Sequence, residues 1–353
     1  MKISKFLLSA FIFSVLFVSC NNDDDVQLPK GDYENGLLIS GEGGPSGSVY
    51  FVSNDFSVTE SQIYKKVNGS ELGNYLQSIA FDNSNAYIVV DNQNTITVVD
   101  RYTFLKNGTI TEGLESPRFM VVEGGKGYAT NWGSTSDATD DFVAVIDLNS
   151  YTVTSKIDVG NGPERIIAKN GKLYVSHKGA YTTNNIVTVI DLATKTTIEI
   201  TVNDNPDELF FDNAGNLVVL CEGNNVYDAS WNVIDHTPAA ITKINTTSNT
   251  VASKMVFAND LNPSLLEING SDLYYNVGSK IYKMSQTATA LPTSEFVDTS
   301  AGYLYGMAVD NENLYILDAS FTAESTLNVY NLATKVKSST VKAPIAASKI
   351  YFN

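Results

Sequence analysis

The sequence has few of the residues from which catalytic and metal centres are usually built. Its 353 residues include two histidines, two cysteines and two tryptophans. It has no His-Glu-x-x-His motif, no clustered cysteines with metal-ligand spacing and no Gly-x-Ser-x-Gly motif. These absences argue against a zinc peptidase, a zinc module and an α/β-hydrolase. We therefore expect no enzymatic activity, no metal site and no cofactor.

Basic residues are also scarce. The chain has 23 lysines and arginines against 39 aspartates and glutamates, and its formal charge is -16. Removal of an N-terminal leader that contains Lys2 and Lys5 would take this charge to -18. A protein this acidic is repelled by phosphate backbones, so a nucleic-acid partner is not expected. Cys221 is the only cysteine besides Cys20, which leaves no pair for a disulfide in the mature chain.

Helical periodicity is missing after the leader, and short apolar runs recur in its place. Each copy has a first run, a turn, a second run, an alternating third run and a more polar fourth run. The first runs lie at residues 76–82, 117–123, 163–169, 206–212, 263–269, 305–310 and 347–353. Four short strands repeated at a regular interval are the signature of a β-propeller blade. The sequence thus predicts an all-β protein, a seven-bladed β-propeller of four-stranded antiparallel blades.

The two ends of the repeat region complete one another. The last copy has only a first strand, at residues 347–353, whereas residues 36–40, 48–52 and 61–64 supply three strands that lack a first one. We expect these segments to pair in one blade and close the ring, which leaves only short protected edges. Residues 36–353 then form one domain with about 45 residues per blade, within the ~40–50 typical of propellers.

The N-terminus has the layout of a bacterial export signal, with two lysines before an apolar stretch. Residues 17–20 (Phe-Val-Ser-Cys) resemble a lipoprotein processing box, which predicts a signal peptide at 1–19 and lipid attachment at Cys20. Residues 20–35 are too polar to bury much surface and are predicted to be a flexible tether. The acidic stretch after Cys20 resembles a surface-export signal, so we expect an outer-membrane lipoprotein at the cell surface. Attachment facing the periplasm and a plain secretory peptide are the alternatives.

Features that recur in every blade are assigned to the fold. An Asp or Asn ends most third strands, and Asp or Asn clusters recur between first and second strands. Both are expected to close turns by accepting backbone N–H bonds, not to bind calcium. The third-strand positions are Asp100, Asp147, Asp191, Asn245 and Asn331.

Loops between second and third strands do not recur. They are very short in the first and fifth copies, at residues 91–94 and 277–279. They are long in the others, at residues 131–141, 177–185, 222–240 and 318–326. Propeller geometry places all of these loops on one face, and insertions on one face of a repeat array mark the usual binding face.

Those loops and the adjacent channel mouth hold the candidate ligand-binding residues. The loops carry both tryptophans and several other rings, which can stack on a ligand. The channel mouth carries charged and aromatic side chains that differ between blades. The predicted ligand-binding residues are Trp132, His177, Tyr181, Tyr227, Trp231, Phe321, Arg118, Arg165, Asp207 and Tyr305. The alternative is that the tryptophans and Tyr227 pack their loops onto the ring and that the charged residues are only solvated.

Residues 143–164 and 187–196 closely match the repeat of one propeller family. The chain resembles the YVTN propellers, also called YncE-like, whose members are mostly binding or scaffold proteins. Within that family, an exported lipoprotein of this size is similar to the BtuG-like surface lipoproteins. Those proteins capture cobalamin and cap a TonB-dependent transporter.

The resemblance implies a surface lipoprotein that binds a small nutrient on its loop-rich face, with a corrinoid such as vitamin B12 as the leading candidate. It would pass this ligand to a TonB-dependent outer-membrane transporter. Two alternatives stay open. One is a glycan-binding protein or a polysaccharide hydrolase or lyase, because carboxylates are plentiful at the channel mouth. The other is a protein-interaction scaffold of the envelope.

Overall fold

The computed structural model describes residues 29–134 and 136–353. The predicted signal peptide, the lipid attachment at Cys20 and most of the predicted tether lie outside the described residues. Within the described part, no helix is long and apolar enough to span a bilayer. Seven four-stranded antiparallel sheets form the seven blades of a propeller, which confirms the predicted fold class.

The first strands of the chain belong to the blade that contains both ends, here called blade 7. In chain order they are β1 (Gly36–Gly41), β2 (Ser48–Ser53) and β3 (Thr59–Glu60), followed by helix α1 (Ile63–Asn68).

Blades 1 to 3 each use four consecutive strands, from the innermost to the outermost. Blade 1 has β4 (Leu76–Phe81), β5 (Asn85–Val90), β6 (Thr95–Asp100) and β7 (Lys106–Ile110), with a 3-10 turn at Asp91–Gln93. Blade 2 has β8 (Pro117–Glu123), β9 (Lys126–Asn131), β10 (Phe142–Asp147) and β11 (Thr152–Asp158). Blade 3 has β12 (Pro163–Lys169), β13 (Lys172–His177), β14 (Ile186–Asp191) and β15 (Thr197–Thr201).

Blade 4 differs because a separate hairpin is inserted between its second and third strands. It has β16 (Pro206–Phe211), β17 (Leu217–Cys221), the hairpin β18 (Asn224–Tyr227) and β19 (Val233–Thr237), then β20 (Ala240–Asn245) and β21 (Thr250–Val256). Blade 5 has β22 (Leu266–Asn269), β23 (Asp272–Val277), β24 (Lys280–Ser285) and β25 (Val297–Asp298). Blade 6 has β26 (Leu304–Val309), β27 (Asn313–Asp318), β28 (Ser325–Asn331) and β29 (Lys337–Ala343), and β30 (Ala347–Phe352) follows in blade 7.

Blade 7 combines strands from both ends of the repeat region. Its strand order is β3-β2-β1-β30, and β30 pairs antiparallel with β1 in a register that places Ile350 opposite Ile39. Backbone bonds also join Gly36 and Asn353, with Asn353 N–H donating to the Gly36 carbonyl at 2.9 Å. The innermost strand of this blade therefore comes from the C-terminal end.

Blade 7 departs from the sequence prediction at its outer strand. Residues 61–64 were expected to form that strand, but the outer strand is only Thr59–Glu60 and helix α1 begins at Ile63. Ile63 and Tyr64 are buried in the core between blades 7 and 1, so they pack as two adjacent helical residues. Gly69 ends the helix in the left-handed conformation and donates its N–H to the Lys65 carbonyl.

The predicted tether also ends earlier than expected. Tyr33 lies inside residues 20–35 but is 3% exposed, and its ring packs edge-on against Phe51 and Phe104. Its backbone N–H donates to the Tyr102 carbonyl, and Asn353 donates a side-chain N–H to the Tyr33 carbonyl. One buried aromatic ring therefore fixes the segment just before β1 to the propeller.

The core consists of seven hydrophobic clusters, one at each contact between neighbouring blades. For example, Tyr174, Val187 and Leu217 meet in the cluster between blades 3 and 4. Because both faces of every blade are covered, the second strands are apolar along most of their length, as in β17 and β5. Each fully buried Val, Leu or Ile contributes about 1.5–3 kcal/mol relative to an exposed one.

The recurring acidic residues close turns, as their periodicity predicted. Asp191 Oδ1 accepts the backbone N–H groups of Ala193 and Thr194. The same two bonds occur at the four equivalent positions, Asp100, Asp147, Asn245 and Asn331. These residues belong to the fold, and what distinguishes the blades lies at the opposite face.

Candidate functional site: a cleft at the mouth of the channel

The residue directly after each second strand lies at an equivalent place in every blade, on the face that carries the long loops. The seven residues at this position form a ring around the channel mouth. In blade order from 1 to 7 they are Asp91, Trp132, Lys178, Glu222, Gly278, Ala319 and Glu42. Their chemistry differs from blade to blade, so the fold alone does not determine it.

On the side of blades 1 to 3, Arg118 is held by its neighbours. Its guanidinium donates to Asp91 at 2.8 Å and to Glu164 at 3.0 and 3.1 Å. The guanidinium carbon also lies 3.8 Å from the centre of the Trp132 ring, a cation–π contact. Arg118 therefore bridges blades 1 to 3, and three of its five N–H donors and one face of its guanidinium are already engaged.

A second ionic cluster joins blades 3 and 4. Arg165 donates to Asp207 at 2.8 Å and forms a short bond to Glu208. Lys178 donates to Asp207 at 3.2 Å and to Glu222 at 3.0 Å. Arg165, Asp207 and Glu208 are nearly covered, whereas about a third of the Lys178 side chain and a fifth of the Glu222 side chain stay exposed.

The carboxyl groups of this cluster have divergent pKa values. Burial opposes ionisation of Asp207, but Lys178 and Arg165 outweigh it and lower its pKa. Burial raises the pKa of Glu222 to about 7, against the influence of Lys178, and the negative charge of Asp207 adds to the increase. Burial likewise raises the pKa of Glu208 to about 7, although Arg165 opposes it. Burial thus raises the pKa values of Glu208 and Glu222 while the neighbouring cations lower that of Asp207.

An open cleft lies beside this cluster, above blade 5. Its main cavity has a volume of about 440 Å³, and a second cavity of about 220 Å³ adjoins it towards blade 4. Glu222, Asn262 and Ser264 line both cavities. The cleft exists because the loop after β23 is a tight turn at Gly278, whereas the loops of blades 4 and 6 on either side are long.

Blade 6 forms one wall of the cleft with three aromatic rings. Tyr303 and Tyr305 line the main cavity, and Phe321 from the long loop packs against both, with ring centres 5.2 and 5.5 Å away. The Tyr305 hydroxyl donates to Glu42 at 3.0 Å, which fixes its orientation. Phe321 is 52% exposed, so its outer face is available.

The inserted hairpin of blade 4 forms the other wall. Tyr227 lines the smaller cavity. Trp231 lies at the tip of the hairpin, and its ring centre is 6.1 Å from that of Tyr227. Trp231 is 82% exposed, so it does not pack the hairpin onto the ring. Asparagine side chains hold the base instead, since Asn205 donates to the Gly223 carbonyl and Asn262 to the Glu222 carbonyl.

Trp132 and Tyr181 belong to a different place. Their rings meet edge-on, 5.7 Å apart, between the loops of blades 2 and 3. They line a small cavity of about 50 Å³, which is large enough for a few water molecules but not for a nutrient. The predicted aromatic residues are thus divided into two groups, and only the group of blades 4 and 6 borders a large cleft.

His177 does not belong to either group. It is fully buried, with Nδ1 3.3 Å from the Asn161 carbonyl oxygen and Nε2 2.8 Å from the Thr188 hydroxyl oxygen. Burial lowers its pKa to about 4, so it is neutral at physiological pH. Its position at the end of β13 turns it into the blade, and we therefore remove it from the candidate ligand contacts.

Sequence reasoning missed two charged residues of the cleft, Lys178 and Glu222. Both lie inside loops that the sequence had marked as variable, but they were hidden among many polar residues. The repeat itself carried the signal, because both directly follow a second strand and the equivalent residues vary widely between blades, from Gly278 to Trp132. Among the residues that the structure describes, no group of three or more His, Cys, Asp or Glu side chains could hold a metal ion.

A family model described as "Domain of unknown function (DUF5074)" matches residues 35–352. The chain belongs to this family. Its match covers the whole propeller, from the residue before β1 to the end of β30. No curated protein matches the sequence.

Several solved structures share the propeller fold of this DUF5074 member at low sequence identity. Hydrazine synthase of Kuenenia stuttgartiensis has 16% identity and a TM-score of 0.57 over 80% of this chain and 92% of that one. Dihydro-heme d1 dehydrogenase NirN, in complex with DHE, has 12% identity and a TM-score of 0.58 over 92% and 77%. Apo AztD of Citrobacter koseri has 11% identity and a TM-score of 0.52 over 89% and 96%. At these identities the likeness establishes the fold alone.

Proposed function

We propose that this protein binds a small, polar, partly flat nutrient in the cleft above blade 5, with a corrinoid as the leading candidate. The cleft itself carries the proposal. It combines aromatic walls from blades 4 and 6 with a polar floor that contains Lys178 and Glu222. Ligand sites are typically concave, with apolar walls and a few convergent polar groups. Binding and release perform the function, and no bond of the ligand is made or broken.

The size of the cleft suits such a ligand. Its two adjoining cavities lie within the ~300–1,000 Å³ that small-molecule sites occupy. The exposed faces of Trp231, Tyr227 and Phe321 stand at its rim, and each ring can bury ~150–250 Å². At ~25 cal/mol per Å², two such rings contribute several kcal/mol before the cost of association is subtracted.

The proposed setting rests on the sequence and on its resemblance to the BtuG-like proteins. A lipid at Cys20 would hold the propeller at the outer membrane, with surface exposure as the favoured orientation. The loop-rich face would then present the cleft to the medium, and a TonB-dependent transporter would receive the ligand. Anchor mapping by mass spectrometry and protease accessibility on intact cells test the two parts of this setting separately.

Titration calorimetry tests the binding function. We expect cyanocobalamin to bind residues 29–353 with micromolar or higher affinity and to raise the melting temperature, because ligand binding stabilises the folded state. Trp231→Ala should weaken binding about tenfold, about 1.4 kcal/mol. Tyr181→Ala is the matched control, since Tyr181 is 69% exposed but lies in the other aromatic group. If cyanocobalamin produces neither binding heat nor a shift in melting temperature, the corrinoid is excluded as the ligand.

A glycan is the second candidate ligand. The smaller cavity is rich in side-chain amides from Asn205, Asn224, Asn225 and Asn262, next to the Tyr227 ring. Amides bind sugar hydroxyls and aromatic rings stack on sugar faces, so this part of the cleft also suits an oligosaccharide. Screening of a glycan array against the same protein separates the two ligands. Binding of a glycan that Trp231→Ala abolishes, without binding of cyanocobalamin, would favour this candidate.

A further inference from the structure

Lys178 and Glu222 are the two charged side chains that line the main cavity. Each has hydrogen-bonding capacity left over. An ammonium group has three N–H donors, and Lys178 uses one for Asp207 and one for Glu222. Glu222 receives the Lys178 bond at Oε1, and no described residue donates a hydrogen bond to its Oε2, although Asp207 lies close enough to share a proton with the Glu222 carboxyl. One donor and one acceptor therefore stand side by side at the floor of the cleft.

The charges around this pair disfavour an ionic group of the ligand. An anion would meet the carboxylates of Asp207, Glu208 and Glu222 behind the Lys178 ammonium. A cation would have to share Glu222, the one carboxylate that lines the main cavity, with the Lys178 ammonium beside it. A neutral group that accepts one hydrogen bond and donates another meets neither penalty. A primary carboxamide is such a group, because its C=O accepts and its NH₂ donates.

We infer that Lys178 and Glu222 bind a primary carboxamide of the ligand, and this inference rests on the proposed function of the cleft. The carboxamide oxygen accepts from Lys178 Nζ, and the carboxamide NH₂ donates to Glu222 Oε2. Lys178 and Glu222 come from blades 3 and 4, so the pair is assembled only in the folded ring. Together they would select carboxamide-bearing ligands over the corresponding acids and esters.

Such a contact couples binding to the protonation of Glu222. The groups that face this carboxyl are Lys178 from blade 3 and Asp207 from blade 4, with Arg165 and Glu208 behind Asp207. Tyr303 and Tyr305 lie across the cavity in blade 6. Burial raises the pKa of Glu222 to about 7, so part of the free protein holds a proton there at neutral pH. A donor from the ligand favours the ionised form, so binding releases this proton and tightens as the pH rises.

Calorimetry of cyanocobalamin, which carries several primary carboxamides, tests the inference at pH 6, 7 and 8 in buffers of different ionisation enthalpy. We expect the wild-type affinity to fall about tenfold between pH 8 and pH 6, with proton release on binding. Glu222→Gln keeps the size of the side chain but cannot ionise, so it should abolish both the pH dependence and the proton release. Glu312→Gln, an exposed residue that lines a cavity away from the cleft, should keep both.

A second probe distinguishes the carboxamide from other contacts. A corrinoid whose carboxamides are replaced by methyl esters accepts hydrogen bonds but offers no amide donor, so its affinity should not depend on pH. Glu222→Gln should leave this weaker binding unchanged. If the wild type binds cyanocobalamin without pH dependence, or if Glu222→Gln keeps the slope, the inference is wrong and the proposed function stands. The absence of binding heat in every arm would overturn both.

Discussion

Individual residues of this propeller are assigned by comparing equivalent positions between blades. Tyr87 is the third residue of β5, and its hydroxyl donates to Asp82 at 2.6 Å. The equivalent bond joins Tyr315 and Asp310 in blade 6, also at 2.6 Å. Burial opposes ionisation of Asp82, but Tyr87 and two backbone N–H groups outweigh it and lower its pKa. These bonds hold the turn between the first two strands and play no part in the cleft.

Tyr87→Phe removes this hydrogen bond without leaving a cavity. We expect the free energy of unfolding to fall by about 0.5–1.5 kcal/mol at pH 7, measured by urea denaturation. Tyr128→Phe is the matched control, because Tyr128 occupies the equivalent position in blade 2 but donates to no described side chain. It should cost less.

The pH dependence of the Tyr87→Phe effect has a defined sign. Because the folded-state pKa of Asp82 is lowered, its stabilising contribution is present above the unfolded pKa of about 4. That contribution is lost as the pH falls through the folded pKa. The difference between wild type and Tyr87→Phe should therefore shrink below about pH 4, and a constant difference would contradict this assignment.

The sequence predicted residues that repeat and was less reliable for residues that do not. The turn-closing Asp191 could be recognised because two other blades have aspartate at the equivalent position and two have asparagine. His177 could not be placed, because its partner Thr188 lies on the neighbouring strand and only the register brings them together. Similarly, Arg118 pairs with Glu164, 46 residues away in the next blade. Contacts between blades depend on how neighbouring strands and blades are positioned against one another, and a single sequence contains no local pattern that predicts this.

At the scale of elements, the loops after the second strands decide where the cleft lies. Their unequal lengths were visible in the sequence, including the short one at residues 277–279. The hairpin of β18 and β19 was visible only as a long loop, because its strands carry no strong alternation. Helix α1 was mistaken for a strand, since two adjacent apolar residues fit either element. Loop length was thus predictable, whereas the conformation within a loop was not.

Filling the short loop of blade 5 should block the cleft. We expect a Gly-Ser-Trp-Gly insertion after Gly278 to abolish ligand binding, with little change in melting temperature, because a side chain at Gly278 would enter open space. The same insertion after Gly270, where the backbone is equally open, lies in the turn between β22 and β23 and should leave binding intact. Calorimetry and thermal melting measure both effects. Retained binding after the Gly278 insertion would place the site elsewhere.

At the scale of the whole molecule, the pairing of β30 with β1 joins the two ends of the chain. A propeller without this pairing would expose the edges of two strands and part of the core between blades 6 and 7. The ring also creates the cleft, because it brings Lys178, Glu222 and Tyr305 from three blades to one channel mouth.

Circular permutation tests this arrangement. A short linker between Asn353 and Pro29, which keeps the buried Tyr33, with new ends at the exposed turn of Gly124 and Gly125, should give a protein that melts within a few degrees of the wild type. Deletion of residues 345–353 is the contrasting variant and should lower the melting temperature strongly, since it removes β30. Circular dichroism follows both transitions. Equal stability of the deletion variant would mean that β30 contributes little to closure.

Hydrogen exchange with mass spectrometry tests the central claim most directly, because it locates the bound ligand on the chain. With cyanocobalamin at saturation, we expect slower exchange in residues 222–237, 262–279 and 301–305, the three segments around the cleft. Residues 133–140 and 179–184, beside the small cavity of Trp132 and Tyr181, should exchange as in the free protein. Protection confined to the latter segments, or absent from the cleft while calorimetry reports binding, would contradict the account.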